Sequence, residues 1–191
     1  MTEPPSADDI AVLIPLKRVA DAKQRLREGG VHDVDALVWH LARGVISAAH
    51  PRPVVVVTED AGVADFASAL GAQIVRTGAR NLNDAVQGAV AALRESYRRL
   101  IVVHGDLAAP EGIGGFTPGE GITLVADHQG VGTTVLALDT ALDFHFAYGA
   151  DSLARHVDEA RRLDVTCTVI RQSPWSRDVD DPADVDPAMW S

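Results

Sequence analysis

Pro53-Val54-Val55-Val56-Val57-Thr58 is the stretch that decides the fold. A half-exposed strand alternates apolar and polar side chains, so four valines in a row do not fit one. They fit a strand covered on both faces, as in a parallel sheet between layers of helix. Similar short apolar runs recur at Ile10 to Leu16, Ala72 to Arg76, Leu100 to His104, Ile122 to Ala126, Thr134 to Leu138 and Val165 to Ile170. Helical periodicity runs between them. Val34 to Ala49 spaces Val34, Leu37, Val38, Leu41, Val45 and Ile46 along one face, and Ala61 to Leu70 stops at Gly71. Asn83 to Leu93 is alanine-rich, and Ser152 to Leu163 carries apolar side chains at helical spacing. Strands alternating with helices predict an α/β fold, Rossmann-like and three-layered, with a mixed, mainly parallel sheet. The second half holds more strands than helices, so antiparallel pairing is expected there.

The 191 residues suit one domain over 10–191, after a disordered N-terminus over 1–9 that is polar and carries Pro4 and Pro5. The formal net charge of -10 argues against a nucleic-acid partner, since phosphate backbones repel an acidic surface. It leaves room for a small anion held in a local basic pocket. No apolar run approaches the ~18 residues of a membrane span, so no membrane partner is expected. Cys167 is the only cysteine, which excludes an internal disulfide and makes a cytoplasmic setting the default. Its apolar strand reads as inert core.

Five groups of residues could carry chemistry. Lys17, Lys23 and Arg25 follow the first strand, on a loop where open α/β sheets bind ligands; they suit phosphates, or equally a solvated basic turn. Asp106 in His104-Gly105-Asp106 ends an apolar strand, where a carboxylate ligates Mg²⁺ or caps a turn. Asp178 and Asp180 alternate around Val179, so in an extended segment both face one way and could share a cation; the alternative is a solvated acidic tail. Gly130-Val131-Gly132-Thr133 leads into a strand and suits a hairpin turn or a backbone anion site. Gly149-Ala150-Asp151-Ser152 opens a helix whose free N–H groups suit either plain capping or an anion. The chain contains no Walker A, H-E-x-x-H, C-x-x-C or G-x-S-x-G pattern.

The order of these groups resembles one family. Ile14-Pro15-Leu16-Lys17 with Ala22-Lys23-Gln24-Arg25-Leu26, then Leu82-Asn83-Asp84-Ala85-Val86, Gly105-Asp106-Leu107, Asp127 with Gly130 to Thr133, Tyr148 to His156, and Asp178 to Asp184 resemble, in order, the motifs of the guanylyltransferases that make the deazaflavin coenzyme F-420. These enzymes act on 2-phospho-L-lactate or phosphoenolpyruvate. The resemblance implies a fold like that of the nucleotide-diphospho-sugar transferases, transfer of GMP from GTP to a phosphorylated three-carbon acid, and release of pyrophosphate. It implies Mg²⁺ on Asp106, Asp178 and Asp180, the phosphoacid on Lys17, Thr133, Gly149 and Ser152, and nucleotide phosphates near Lys23, Arg25 and Asn83. The implied partners are GTP, the acid, and a downstream enzyme that passes the product to the deazaflavin. Val131 stands where that family has threonine, and Ala108 where it has proline. A cytidylyl- or uridylyltransferase on another phosphate, or a nucleotide-binding homologue without catalysis, would share the same frame.

Overall fold

The computed structural model describes residues 9–185. The expectation for the N-terminal segment therefore falls, apart from Asp9, outside the described residues. Strands β1 (Ile10–Pro15), β2 (Val54–Val57), β3 (Gln73–Val75), β4 (Arg99–Val103), β5 (Ile122–Ala126), β6 (Thr133–Asp139) and β7 (Cys167–Ile170) form one seven-stranded sheet in the order β3-β2-β1-β4-β6-β5-β7. β1, β2, β3 and β4 pair in parallel, as do β5 and β7, while β6 runs antiparallel between β4 and β5. The sheet is thus mixed and mainly parallel, with its antiparallel pairs in the second half.

The valine run explains the layering. Val55 and Val57 join Leu13, Leu100, Val102 and Leu124 in a cluster under α4 (Leu82–Leu93) and α5 (Ser152–Arg162). Val54 and Val56 face the other way, toward Val45, Ile46 and Ala49 of α2 (Val34–Ala49) and Ala67 of α3 (Ala61–Ala69). Period-two side chains thereby meet apolar cover on both faces, and β2 has no solvent side. Where cover thins, the pattern changes: edge strand β7 is only half-buried, and Cys167 lies there. The expected core thiol is therefore an edge residue.

The loop expected to carry Lys17, Lys23 and Arg25 is partly helical. After a 3-10 turn at Val19–Asp21, α1 (Gln24–Glu28) begins behind Lys23, whose φ of 56° lies in the left-handed region. Leu26 anchors this helix in a small cluster with Val34, Leu37, Leu41 and Val179, all buried. The glycine-rich stretch 111–121 is a loop around a 3-10 turn at Ile113–Gly115 and is held from both sides. Arg52 donates to the carbonyls of Gly114 and Phe116 (both 2.8 Å), and Arg99 to those of Gly119 (2.9 Å) and Gly121 (3.0 Å).

β1 and β4 are neighbours, but the chain leaves β1 toward β2 and later reaches β4 on the other side. Such a reversal opens a crevice at the carboxyl ends of the strands. Val179 is fully buried at that end, in the cluster shared with α1 and α2. Val179→Ala should lower stability by about 1–3 kcal/mol, read as a lower urea midpoint at unchanged slope. An unchanged midpoint would mean that the cluster does not hold the C-terminal segment.

Candidate active site

A cleft of about 670 Å³ opens over the carboxyl ends of β1, β2 and β4 and is lined by Lys17, Arg18, Thr58, Glu59, Arg80 and Asp106 among others. This size suits a nucleotide. Gly105 sits in its floor, where a Cβ would collide with the Leu16 side chain. A side chain there would force the Leu16 side chain to move.

The C-terminal segment reaches the cleft through a short antiparallel bridge. Ala108 N–H donates to the Arg177 carbonyl (2.8 Å) and Val179 N–H to the Asp106 carbonyl (3.1 Å), with Leu107 opposite Asp178. With Val179 turned into the core, Asp178 and Asp180 are left toward the end of β4. His104, Asp106 and Asp178 then each offer a ligand atom, all within 4.8 Å of one another. Asp106 Oδ1 is buried without a hydrogen-bond partner, as an atom reserved for a cation would be. Two carboxylates with an imidazole suit a divalent ion. Asp180 lies outside this group and is tied to it through Lys23. The Lys23 ammonium bridges Asp106 Oδ2 and Asp180 Oδ1, the latter at 2.7 Å.

Burial pulls the Lys23 ammonium down, but Asp106 and Asp180 outweigh it and raise its pKa, so it stays charged. Burial likewise disfavours ionised Asp178, but His104 outweighs burial and the pKa falls. Lys23 thus neutralises the carboxylates where the sequence suggested free phosphate binding. Arg25 reaches Asp181, at 3.6 Å, and is not in the cleft lining; Lys17 is exposed and lines the cleft beside Arg18.

Thr133 and Ser152 come together one strand away. The Ser152 hydroxyl accepts from Thr133 N–H (3.0 Å), and both residues are buried. Gly149, at φ 118°, and Asp151, at φ 53°, shape the turn into α5, so the cap is backbone geometry without a side-chain hydrogen bond. His104 N–H donates to the Thr134 carbonyl (3.0 Å), which joins this region to the end of β4. Asn83 turns from the expected nucleotide phosphates to the backbone of Tyr148: its Oδ1 accepts from N–H (2.7 Å) and its Nδ2 donates to the carbonyl (3.2 Å).

Arg18, Arg80, Glu59 and the two histidines carry no role in the sequence reading. Arg18 was legible as a neighbour of Lys17. His156 could be placed only by the fold, since its partners Thr133 and Ala147 lie on other elements. His156 Nε2 accepts from Ala147 N–H (3.1 Å), which puts the ring proton on Nδ1, 3.0 Å from the Thr133 hydroxyl. The Tyr148 ring packs against both His156 and His104, with centroids 4.9 and 5.4 Å away.

The family model described as "Guanylyl transferase CofC like" matches residues 10–190. The chain belongs to this family. A phosphoenolpyruvate guanylyltransferase of Mycobacterium sp. (strain KMS) is 37% identical over 166 residues, 80% of this chain and 75% of that protein. Another, from Roseiflexus castenholzii, is 29% identical over 187 residues, 95% of this chain and 87% of that protein. In fold, the chain resembles a protein of Desulfovibrio desulfuricans G20 described as a nucleotide-diphospho-sugar transferase, with TM-score 0.70, 15% identity, and coverage of 91% of this chain and 83% of that one. The guanylyltransferase family and the nucleotide-diphospho-sugar-transferase fold thus meet the expectations from sequence.

Burial holds the His156 pKa down from 6.5 to about 4, with the nearby His104 adding to the effect and Glu159 opposing it. The unfolded chain therefore takes up this proton before the native one. Its contribution to stability is complete above pH 6.5 and is lost progressively as pH falls to about 4. Thermal unfolding should show that decline, and His156→Gln should flatten it. An identical pH slope in the variant would reject a neutral buried His156.

Proposed function

We propose that this chain transfers GMP from GTP to phosphoenolpyruvate, releasing pyrophosphate, on the route to the deazaflavin coenzyme F-420. The observation that carries the reading is the gathering of Asp106, Asp178 and Asp180, of which Asp106 and Asp180 line the nucleotide-sized cleft, in a chain of the guanylyltransferase family. Phosphoenolpyruvate is preferred to 2-phospho-L-lactate because the relatives above carry its name.

An acceptor phosphate oxygen attacks the α-phosphorus of GTP, its bond to the bridging oxygen of pyrophosphate breaks, and a mixed diphosphate forms. A phosphate monoester is largely ionised at neutral pH, with a second pKa of about 6, so the nucleophile needs no general base. The obstacle is repulsion between two polyanions. Lys17 and Arg18, exposed at the cleft, counter it. Asp106, Asp178 and, through a short movement of Lys23, Asp180 would hold Mg²⁺. When bound, that ion offsets the phosphate charge and stabilises the departing pyrophosphate. Released from the carboxylates by such an ion, the Lys23 ammonium would be free to face the phosphates.

The acceptor side is the turn at Gly149 with Thr133 and Ser152. The Ser152 hydroxyl accepts from the Thr133 backbone N–H, and this pairing keeps the start of α5 in place beside the acid. His156 fixes Thr133 from behind. A cytoplasmic setting and transfer of the product to a downstream enzyme complete the proposal.

Wild-type protein with GTP, Mg²⁺ and phosphoenolpyruvate should release pyrophosphate and give a guanylylated acid detectable by mass spectrometry, with CTP and UTP inactive. Asp106→Asn should lower that turnover by about a hundredfold or more while keeping the unfolding temperature. Turnover near wild type in Asp106→Asn would reject the carboxylate assignment, and product only with another acid would reject phosphoenolpyruvate.

A further inference from the structure

The metal reading rests on aspartates, yet the group that the fold assembles contains an imidazole. We propose that His104 is a nitrogen ligand of this metal site and that it tilts the site toward Mn²⁺ relative to Mg²⁺. The inference rests on the reading of Asp106 and Asp178 as metal ligands and adds a residue to it.

Three observations support it. His104 belongs to the one group of three ligand-bearing side chains found among the described residues, together with Asp106 and Asp178. Its Nδ1 lies 3.7 Å from Asp178 Oδ2. That is too long for a good hydrogen bond, which spans about 2.7–3.2 Å. It is within reach of two donors on one ion, since metal–donor bonds of about 2.1 Å allow separations up to about 4.2 Å. Finally, His104 Nε2 and Asp106 Oδ1 are both buried without hydrogen-bond partners. No hydrogen bond commits that oxygen or the second ring nitrogen to another role, and the first ring nitrogen faces only Asp178.

The backbone fixes the ring in this position. His104 N–H is bonded to the Thr134 carbonyl at the last step of the β4–β6 pairing, and the Tyr148 ring packs against the imidazole. Gly105 follows the ring, with the Leu16 side chain packed against it. The imidazole is thus aimed at Asp178 by a strand end, a turn and an aromatic wall.

Metal preference follows from donor chemistry. Mg²⁺ is hard, favours oxygen and gives up water reluctantly, so an imidazole adds little to its binding. Mn²⁺ accepts nitrogen as well as oxygen donors and gains more from the same ring. The preference attributable to His104 is the change in the Mn²⁺/Mg²⁺ affinity ratio when the ring is removed.

The test uses the full chain without nucleotide, because guanine nitrogen could otherwise give the same signal. Mn²⁺ bound to wild type should show ¹⁴N modulation in pulsed EPR, and His104→Gln should lose it. Titration should find Mn²⁺ affinity reduced about tenfold in His104→Gln and Mg²⁺ affinity reduced less than about threefold. Bound Mn²⁺ without ¹⁴N modulation in wild type would overturn the proposal, as would modulation that persists in His104→Gln or an equal loss for both metals. Asp106→Asn separates this from the underlying reading. If that variant binds Mn²⁺ as tightly as wild type, the metal site itself is misplaced. If it loses Mn²⁺ while wild type shows no ¹⁴N coupling, only the role of His104 fails.

Discussion

Burial of Val179 and the two backbone bonds around it are what make a site of this molecule. The Asp106–Ala108 stretch follows β4, and the Arg177–Val179 stretch comes after β7, at the far end of the sheet order. Two hydrogen bonds alone would hold such a crossing weakly. The Val179 side chain adds apolar area against Leu26, Leu37 and Leu41, which fixes both its position and which way its neighbours face. One of the two bonds comes from the N–H of Ala108, a donor that a proline could not supply. The substitution that looks like a departure in sequence thus strengthens the joint in this structure.

Charge balance explains how three aspartates can gather at one place. Uncompensated, their mutual repulsion and partial burial would open the joint. Lys23 offsets this by bridging Asp106 and Asp180, while His104 faces Asp178. Behind the carboxylates the arrangement becomes neutral: Tyr148 separates His104 from His156, and burial keeps His156 uncharged. Asn83 pins Tyr148 from α4, so a residue that resembles a phosphate ligand in sequence supports the turn into α5 from behind.

The fold was legible because its signals are local. Val54 to Val57 state double burial without any knowledge of partners, and the periodicity of Val34 to Ala49 gives helix bounds that the structure repeats. Less of the helix at Gln24–Glu28 could be read, since five residues carry too little periodicity and its stability comes from Leu26 in a tertiary cluster. Cys167 misled for a related reason: an apolar strand in sequence looks the same at the centre and at the edge of a sheet.

The sequence by itself determined the element types, the mainly parallel sheet, the family, and the presence of carboxylates at Asp106, Asp178 and Asp180. Each depends on residue identity or short-range spacing. The tertiary structure alone decided that Lys23 answers the carboxylates, that Arg25 turns to Asp181, that Asn83 braces Tyr148, and that His104 joins Asp106 and Asp178. These pairings join residues up to 157 positions apart, as between Lys23 and Asp180. No periodicity spans such a distance. Only the packing of strands and the burial of one valine bring the two ends of the chain to the same cleft.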